Sequence, residues 1–419
     1  MLRSVLVFFW PIFLGILFIT LGNGLQAILS SWRADAEGFS VATIGWMMTG
    51  YPVGTLIGSL FSPYLVRLSG HVRAYAFFAT LSSTAILIQS VFIDPSVWFF
   101  MRLLSGFCLA GIFVIVESWL NSKSNNDNRG NIFSIYMLVI WVGAALGQSL
   151  LTLDDPRGFN LFVLTSVLLS VSLIPVLITK IEAPRIEQHK PLGIVKLCQM
   201  SPTSAATIVL SALVTSAFFG MGAVFAIKAG LSVTKTAMFM TLFVASGAIS
   251  QWPLGRLSDK IDRRLVILFC ACCVVSVSVM MFFAEPNENL YLLMSILMGG
   301  SILPLYSLAV AHTNDRLKPE HMMGASSAII MLWGCFAMIA PFAVGNILEI
   351  FSLRGFYVYT GVSQGLLALV VLFMLFKTKA VEDESQAQFK AMSHHPSLVA
   401  LEVVAEEAIE STEAEDTGV

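Results

Sequence analysis

Long apolar runs alternate with short polar breaks along the whole chain, and this alternation predicts the elements. Apolar stretches lie near residues 5–29, 43–66, 74–93, 97–120, 131–151 and 159–179. Each is close to the roughly 20 residues that a helix needs to cross about 30 Å of hydrocarbon. A polar interval runs from Lys180 to Thr203, and six more stretches follow near 204–227, 237–255, 265–284, 290–311, 323–348 and 355–376. Pro11, Pro52 and Pro341 fall inside the runs without breaking the reading, because spanning helices tolerate proline where neighbours satisfy the freed backbone groups. The expected fold class is an all-α membrane protein of twelve transmembrane helices in two pseudo-symmetric six-helix bundles. Residues 1–180 form the first bundle and 204–377 the second, with a linker at 181–203 and a tail at 378–419.

Composition supports this. The 419 residues are 57% hydrophobic and 12% charged, against about 25% charged in an ordinary soluble domain, which excludes a soluble enzyme. The net charge of -2 gives no reason to expect a nucleic-acid partner. The placement of the charges says more than their sum. Of 24 lysines and arginines, only Arg33, Arg157, Lys228, Lys235 and Arg354 fall in the loops of one side, and Arg102 alone lies within a span. The others, among them Arg67, Arg73, Lys123, Arg129, Arg256, Arg263, Arg264 and Arg316, sit with both termini and the linker on the opposite side. By the positive-inside rule that side is cytoplasmic. The first run is too long for the apolar region of a signal peptide and reads as an uncleaved span.

From Val381 the chain turns acidic, with Glu382, Asp383, Glu384, Glu402, Glu406, Glu407 and further acids against Lys390, and is expected to be disordered. His394 and His395 lie in this tail without a Cys or carboxylate at ligand spacing, so they read as solvated. Cys270, Cys272 and Cys273 sit inside an apolar run and read as small packed side chains; no metal site is expected. No G-x-x-x-x-G-K-[ST] appears, so no nucleotide and no cofactor are expected, leaving the proton gradient as the energy source.

A weak internal repeat appears at an offset of about 192–194 residues: Gly130 to Leu138 (GNIFSIYML) aligns with Gly324 to Leu332 (GASSAIIML). Gly255 to Arg264 (GRLSDKIDRR) resembles the G-x-L-x-D-R-x-G-R-R loop signature of the major facilitator superfamily, and Arg102, Gly106 and Ala110 are similar to its R-x-x-x-G fourth-helix motif. VESWLN (116–121), NRG (128–130), YM (136–137), GQ (147–148) and SQWPLGRLSD (250–259) together resemble a bacterial inner-membrane subgroup whose members mostly have no assigned substrate. The resemblance implies two six-helix bundles that rock about a central cavity. The first-half copy of the loop signature departs from it, with Arg67 at the aspartate position and Pro63 at the leading glycine; Asp262 replaces the glycine in the second. Span five carries the GxxxG of the antiporter motif at Gly143 and Gly147, with Gln148 where that motif has proline.

Arg102 and Glu117, both in span four, are the formal charges left within these limits. Exposing such a group to lipid costs about 2.5–3.5 kcal/mol, so each must face protein or water. Fifteen residues apart, they are separated by roughly 22 Å of helix rise and cannot pair with each other. Counting depth from the mouths of their spans puts Asn23, Gln26 and Tyr51 near Arg102, whose guanidinium fork suits a carboxylate or phosphate. In the second half Tyr306 and Trp333 are the candidates for the same cavity. Glu117 reads as an inner-gate acid facing Arg67, Arg73 and Arg129, or as a proton carrier; Asp259, with Arg263, Arg264 and Asp315, reads as the second gate cluster. Gln148 and Gln251 serve either to glue helices or to bind a ligand.

The expected function is proton-linked secondary transport of a small solute, an organic anion or zwitterion, across the bacterial inner membrane. An exporter of amphipathic drugs is the alternative within transport. A transporter-shaped sensor or scaffold, its tail recruiting a partner, is the alternative outside it. An enzyme is not expected, since no His pair, Ser/Lys pair or paired acids share a span.

Overall fold

The computed structural model describes residues 2–124, 128–178, 192–285, 287–379, 388–393 and 397–417. Lys180, Arg185 and Lys190 of the linker, Glu382, Asp383 and Glu384, and His394 and His395 lie outside the described residues.

Among the described residues all regular structure is helical. The first half consists of α1 (Leu2–Ala36), α2 (Val41–Ser69), α3 (His71–Val91), α4 (Pro95–Ser122), α5 (Arg129–Ser149), α6 (Asn160–Val171) and α7 (Leu173–Ile178). A short helix α8 (Ile194–Met200) leads into the second half, α9 (Pro202–Lys228), α10 (Val233–Ser258), α11 (Arg263–Phe283), α12 (Glu288–Arg316), α13 (Pro319–Ala337) and α14 (Ile339–Lys377). A last helix, α15 (Leu398–Thr417), belongs to the tail.

Ten stretches are long and apolar enough to cross a membrane, α6 and α7 together forming one of them. The last, Pro319–Lys377, is 59 residues long, about twice what one crossing requires, and turns at Ser352 (φ 53°, ψ -155°). Pro319 to Phe351 is therefore one pass and Leu353 to Lys377 its return. α2 is not among the ten, yet its 29 residues are ample for a crossing, which brings the passes to twelve.

The helix ends follow from local chemistry. Ser40 caps α2 by accepting from the Thr43 N–H, Asp94 caps α4 from Ser96 and Val97 with Pro95 as first helical residue, and Asn287 caps α12 from Leu290. Gly70 (φ 81°) makes the one-residue turn between α2 and α3, a backbone angle that glycine adopts without strain. Several helices outrun their apolar stretches, so Asp35 ends up on α1 and Asp315 in the last turn of α12 rather than in loops.

Small residues bring α2 and α4 together. A Cβ at Gly54 would lie under 3.0 Å from the Leu103 carbonyl, and one at Gly106 under 3.0 Å from that of Tyr51. In lipid, where no hydrophobic force drives helices together, such close backbone approach supplies the packing. It also sets Arg102 of α4 beside Tyr51 of α2. The second half packs on aromatic rings instead: Phe218 stacks on Phe243 with centroids 4.2 Å apart, and Phe356 meets both Phe218 and Phe225. Trp98, near the start of α4, is fully buried and donates to the Phe92 carbonyl at 2.7 Å.

The tail differs from the expectation of disorder over its described part. α15 packs against α13, α4 and α12. Val399, Ala400, Leu401, Val403, Ala405 and Ala408 are all buried. At about 100° per residue these positions span roughly two thirds of the helix circumference, and the remaining sector carries the half-buried Glu402 and Glu406, so the helix is set into a cleft with one face left open.

Candidate functional site

A cavity of about 50 Å³ lies between the halves, bounded by α1, α2, α4 and α5 on one side and by α9, α13 and α14 on the other. Asn23, Tyr51, Arg102 and Trp333, all singled out from sequence, line it, together with Gln148. The Arg102 guanidinium carbon stands 4.6 Å from the centroid of the Tyr51 ring, and the Asn23 side chain hydrogen-bonds to Tyr51. Arg102 is only 3% exposed, yet its Nε and Nη1 have no hydrogen-bond partner, and neither has the side-chain oxygen of Gln148. No Asp or Glu lines the cavity among the described residues. Met48, Phe219, Trp333 and Pro341 form an apolar part of the wall, beside the hydroxyl residues Thr215 and Ser216.

The space holds a few waters, a water needing about 10–15 Å³ of such volume. Ligand pockets are typically about 300 Å³ or larger. The cavity therefore enlarges before a metabolite enters it. Arg102 meanwhile has two buried donors and a full charge with no carboxylate to meet them, the arrangement in which a missing partner costs most.

Gln26 does not line this cavity. It donates to the Ser105 hydroxyl at 2.8 Å and so ties α1 to α4. Tyr306 does not line it either; it is buried with its hydroxyl unpartnered, its ring edge-on to Trp333 at 6.4 Å, within reach of the charge of Glu117.

At the end of the bundle that carries the basic loops, Glu117 has partners other than those expected. Its carboxylate accepts from the Tyr136 hydroxyl at 2.8 Å, from the Ser397 hydroxyl and from the Ala400 N–H at 3.2 Å. The expected salt bridge to Arg67, Arg73 or Arg129 is replaced by the N-terminal turn of α15, whose free N–H groups and partial positive charge suit a carboxylate. Arg129 pairs instead with Glu406 of α15 at 3.1 Å, while Arg67 and Arg73 are exposed.

Of the second cluster, Arg263, Asp259 and Asp315 come together, while Arg264 pairs with Asp262. Arg263, buried, bridges Asp315 at 2.7 Å and Asp259 at 3.2 Å. Arg264 binds Asp262 at 2.6 Å and the Thr378 carbonyl at 3.0 Å. Burial works upward on the Asp262 carboxyl, but the hydrogen bonds and charge of Arg264 prevail and hold it below the usual carboxylate range. No matching acid stands in the first-half copy at Arg67, so the two loops are chemically unlike.

Sequence reasoning missed the role of Gln251. Its side-chain oxygen accepts from the Met392 N–H at 3.1 Å and its NH₂ donates to the Met392 carbonyl at 3.2 Å, while Ser307 accepts from the same N–H at 3.0 Å. One buried amide thus satisfies both backbone groups of a tail residue. Next to it, the Phe389 N–H donates to Asp259 at 2.9 Å, and the Phe389 ring occupies the space left by the absent side chain of Gly255. Burying Met392, Leu401 and Val403 is worth about 1.5–3 kcal/mol each relative to exposure. The only signal in the sequence was the run of apolar residues between the acids of 398–409.

With the geometry in view, similarity to known proteins falls into place. The sequence profile of the Major Facilitator Superfamily matches residues 12–232 and 203–408. The chain is 24% identical over 342 residues to a protein of Escherichia fergusonii named "Uncharacterized MFS-type transporter YcaD", covering 81% of this chain and 88% of that protein. It is equally 24% identical to the protein of that name from Salmonella arizonae, with the same coverage. Among solved structures, the nucleoside transporter NupG superposes with a TM-score of 0.72 at 14% identity, covering 88% of this chain and 98% of that one. A bacterial homologue of the human lysosomal transporter Spinster, inward-facing and unoccupied, superposes with a TM-score of 0.67 at 15% identity, covering 98% of this chain and 94% of that one.

Proposed function

The chain belongs to the Major Facilitator Superfamily, and from that membership we propose that this membrane transporter is a secondary carrier of a small organic anion or zwitterion, driven by protons. The two halves rock about the central cavity in a bacterial inner membrane, with the basic end and both termini in the cytoplasm. One observation carries the choice of substrate class: Arg102 presents two buried, unpartnered donors to a cavity that no acid lines. A carboxylate or phosphate on the solute satisfies the fork, Gln148 adds a neutral polar contact, and Met48, Phe219 and Trp333 receive an apolar body.

Glu117 is the acid this reading assigns to the proton. It is 1% exposed and, among the described residues, pairs with no cation. The apolar part of the wall is the feature that favours the alternative reading, export of amphipathic compounds.

The test is proton uptake by reconstituted protein on adding a mixture of small mono- and dicarboxylates and phosphorylated metabolites. Wild type is expected to move protons with a component of the mixture, Arg102→Gln to lose at least tenfold of that rate, and Glu117→Gln to bind the solute without proton movement. Equal rates in wild type and Arg102→Gln sink the anion assignment. Efflux of amphipathic cations, unaffected by Arg102→Gln, establishes the alternative.

A further inference from the structure

The two halves meet directly at the end away from the basic loops, where Lys228 pairs with Asp35 at 2.7 Å and the Ala42 N–H donates to Glu349 at 2.8 Å. At the basic end the tail lies between them. Its partners come from both halves: Glu117 and Arg129 from the first, Gln251, Asp259 and Ser307 from the second. A void of about 430 Å³ flanks the inserted segment between α5 and α10.

We propose that residues 388–393 and 397–409 form an intramolecular plug, which occupies the passage at the basic end and inhibits transport until it is released. The inference rests on reading the cavity as part of a transport passage. Three features make the segment a fitted occupant. The amide of Gln251 clamps the backbone of Met392 through both of its polar groups, and Ser307 of α12 joins the same cluster by donating to the Gln251 oxygen at 3.2 Å. Glu117 caps the first turn of α15, so the segment holds the same carboxylate that the transport cycle uses. Apolar positions over about two thirds of the circumference of α15 are buried, so the helix sinks into the cleft rather than lying over it. Alternating access requires the halves to close where the segment now sits, and two packed bundles cannot close on an inserted helix.

The plug also explains where the acidic charge of the tail belongs. Glu406 pairs with Arg129 across the cleft, and Glu407 with Lys390 at 2.8 Å within the tail. Docking of an acidic segment against basic loops weakens as salt screens the charges.

The experiment is thiol labelling of the full chain carrying Ser307→Cys, with modification resolved by mass spectrometry so that the native cysteines do not interfere. Ser307 is 1% exposed beneath Met392. In one protein the tail is otherwise intact; in the other it also carries Leu401→Glu and Val403→Glu, two charges on the buried surface of α15. Labelling at position 307 is expected to be at least tenfold faster with the altered tail, while Cys198 of α8, partly exposed and outside the spans, reacts equally in both, which shows that the rest of the fold is unharmed. Rates at 307 within twofold of each other overturn the plug. In parallel, proton movement with the organic-acid mixture is measured with Ser307 retained, and the altered tail is expected to raise it severalfold. Where the unaltered protein shows flux, a faster label with unchanged or lower flux in the altered one overturns the inhibitory role. Faster labelling with no flux in any protein leaves the plug standing and overturns the transport reading, so the two fail separately.

Discussion

The two ends of the bundle solve one problem, keeping water from running through, by different means. Away from the basic loops, closure is backbone against backbone: a Cβ at Gly45 of α2 would lie under 3.0 Å from the Pro341 carbonyl and from the Gly345 Cα of α14. At the basic end, closure is by a borrowed helix with side chains and backbone amides as fasteners. The first kind is built into the halves and, under the proposed rocking, re-forms whenever they swing back. The second must be removed and replaced, so it is slower and open to control.

Breaking the first closure gives the largest effect. Gly45→Leu forces α2 off α14 and is expected to destabilise this state by about 1–3 kcal/mol through overpacking, read as a lower denaturation midpoint in detergent. An unchanged midpoint would show that the halves are not in contact there. A smaller effect is expected at the basic end from Gln251→Leu, which leaves the Met392 N–H and carbonyl without the amide. Loss of buried hydrogen bonds costs about 1–3 kcal/mol, but the displaced segment regains water. The readout is protease cleavage within 388–409, faster in the variant and unaffected by Gly45→Leu. The smallest effect belongs to charge: Arg129→Gln removes a partly exposed pair worth about 0.2–1 kcal/mol. Cleavage of the wild-type tail should speed up with added salt, and that salt response should be weaker in Arg129→Gln; equal responses would assign it to other groups.

Much of this could be read from sequence because the bilayer imposes so few solutions. The break between the last two passes was visible as Glu349 to Arg354, and the structure turns there at Ser352. Asn23, Tyr51 and Arg102 were brought together by depth alone, since helix rise is fixed at about 1.5 Å per residue. Depth does not give rotation, and Gln26, at a similar level, points to Ser105 instead of the cavity. The docking of the tail was hidden for another reason. An average over its many acids describes a solvated segment, whereas Leu401, Val403 and Met392 gain their burial from a cleft assembled by helices distant in sequence. Gln251 was seen as a buried amide in need of partners, but nothing local says that they lie 141 residues away.

The unpaired charge of Arg102 has a consequence for the energy supply of the cell. A carrier that opens first to one compartment and then to the other endangers the ion gradients across its membrane, because sodium or hydronium could ride through while the solute is absent. Any small cation crossing this cavity must come near the guanidinium. At about 4 Å and an effective dielectric constant of about 20 the repulsion is about 4 kcal/mol, roughly a thousandfold penalty on passage. The same group that attracts one sign of charge thereby insulates the membrane against the other, and vesicles carrying Arg102→Gln should dissipate an imposed pH gradient faster than wild type even when no solute is present.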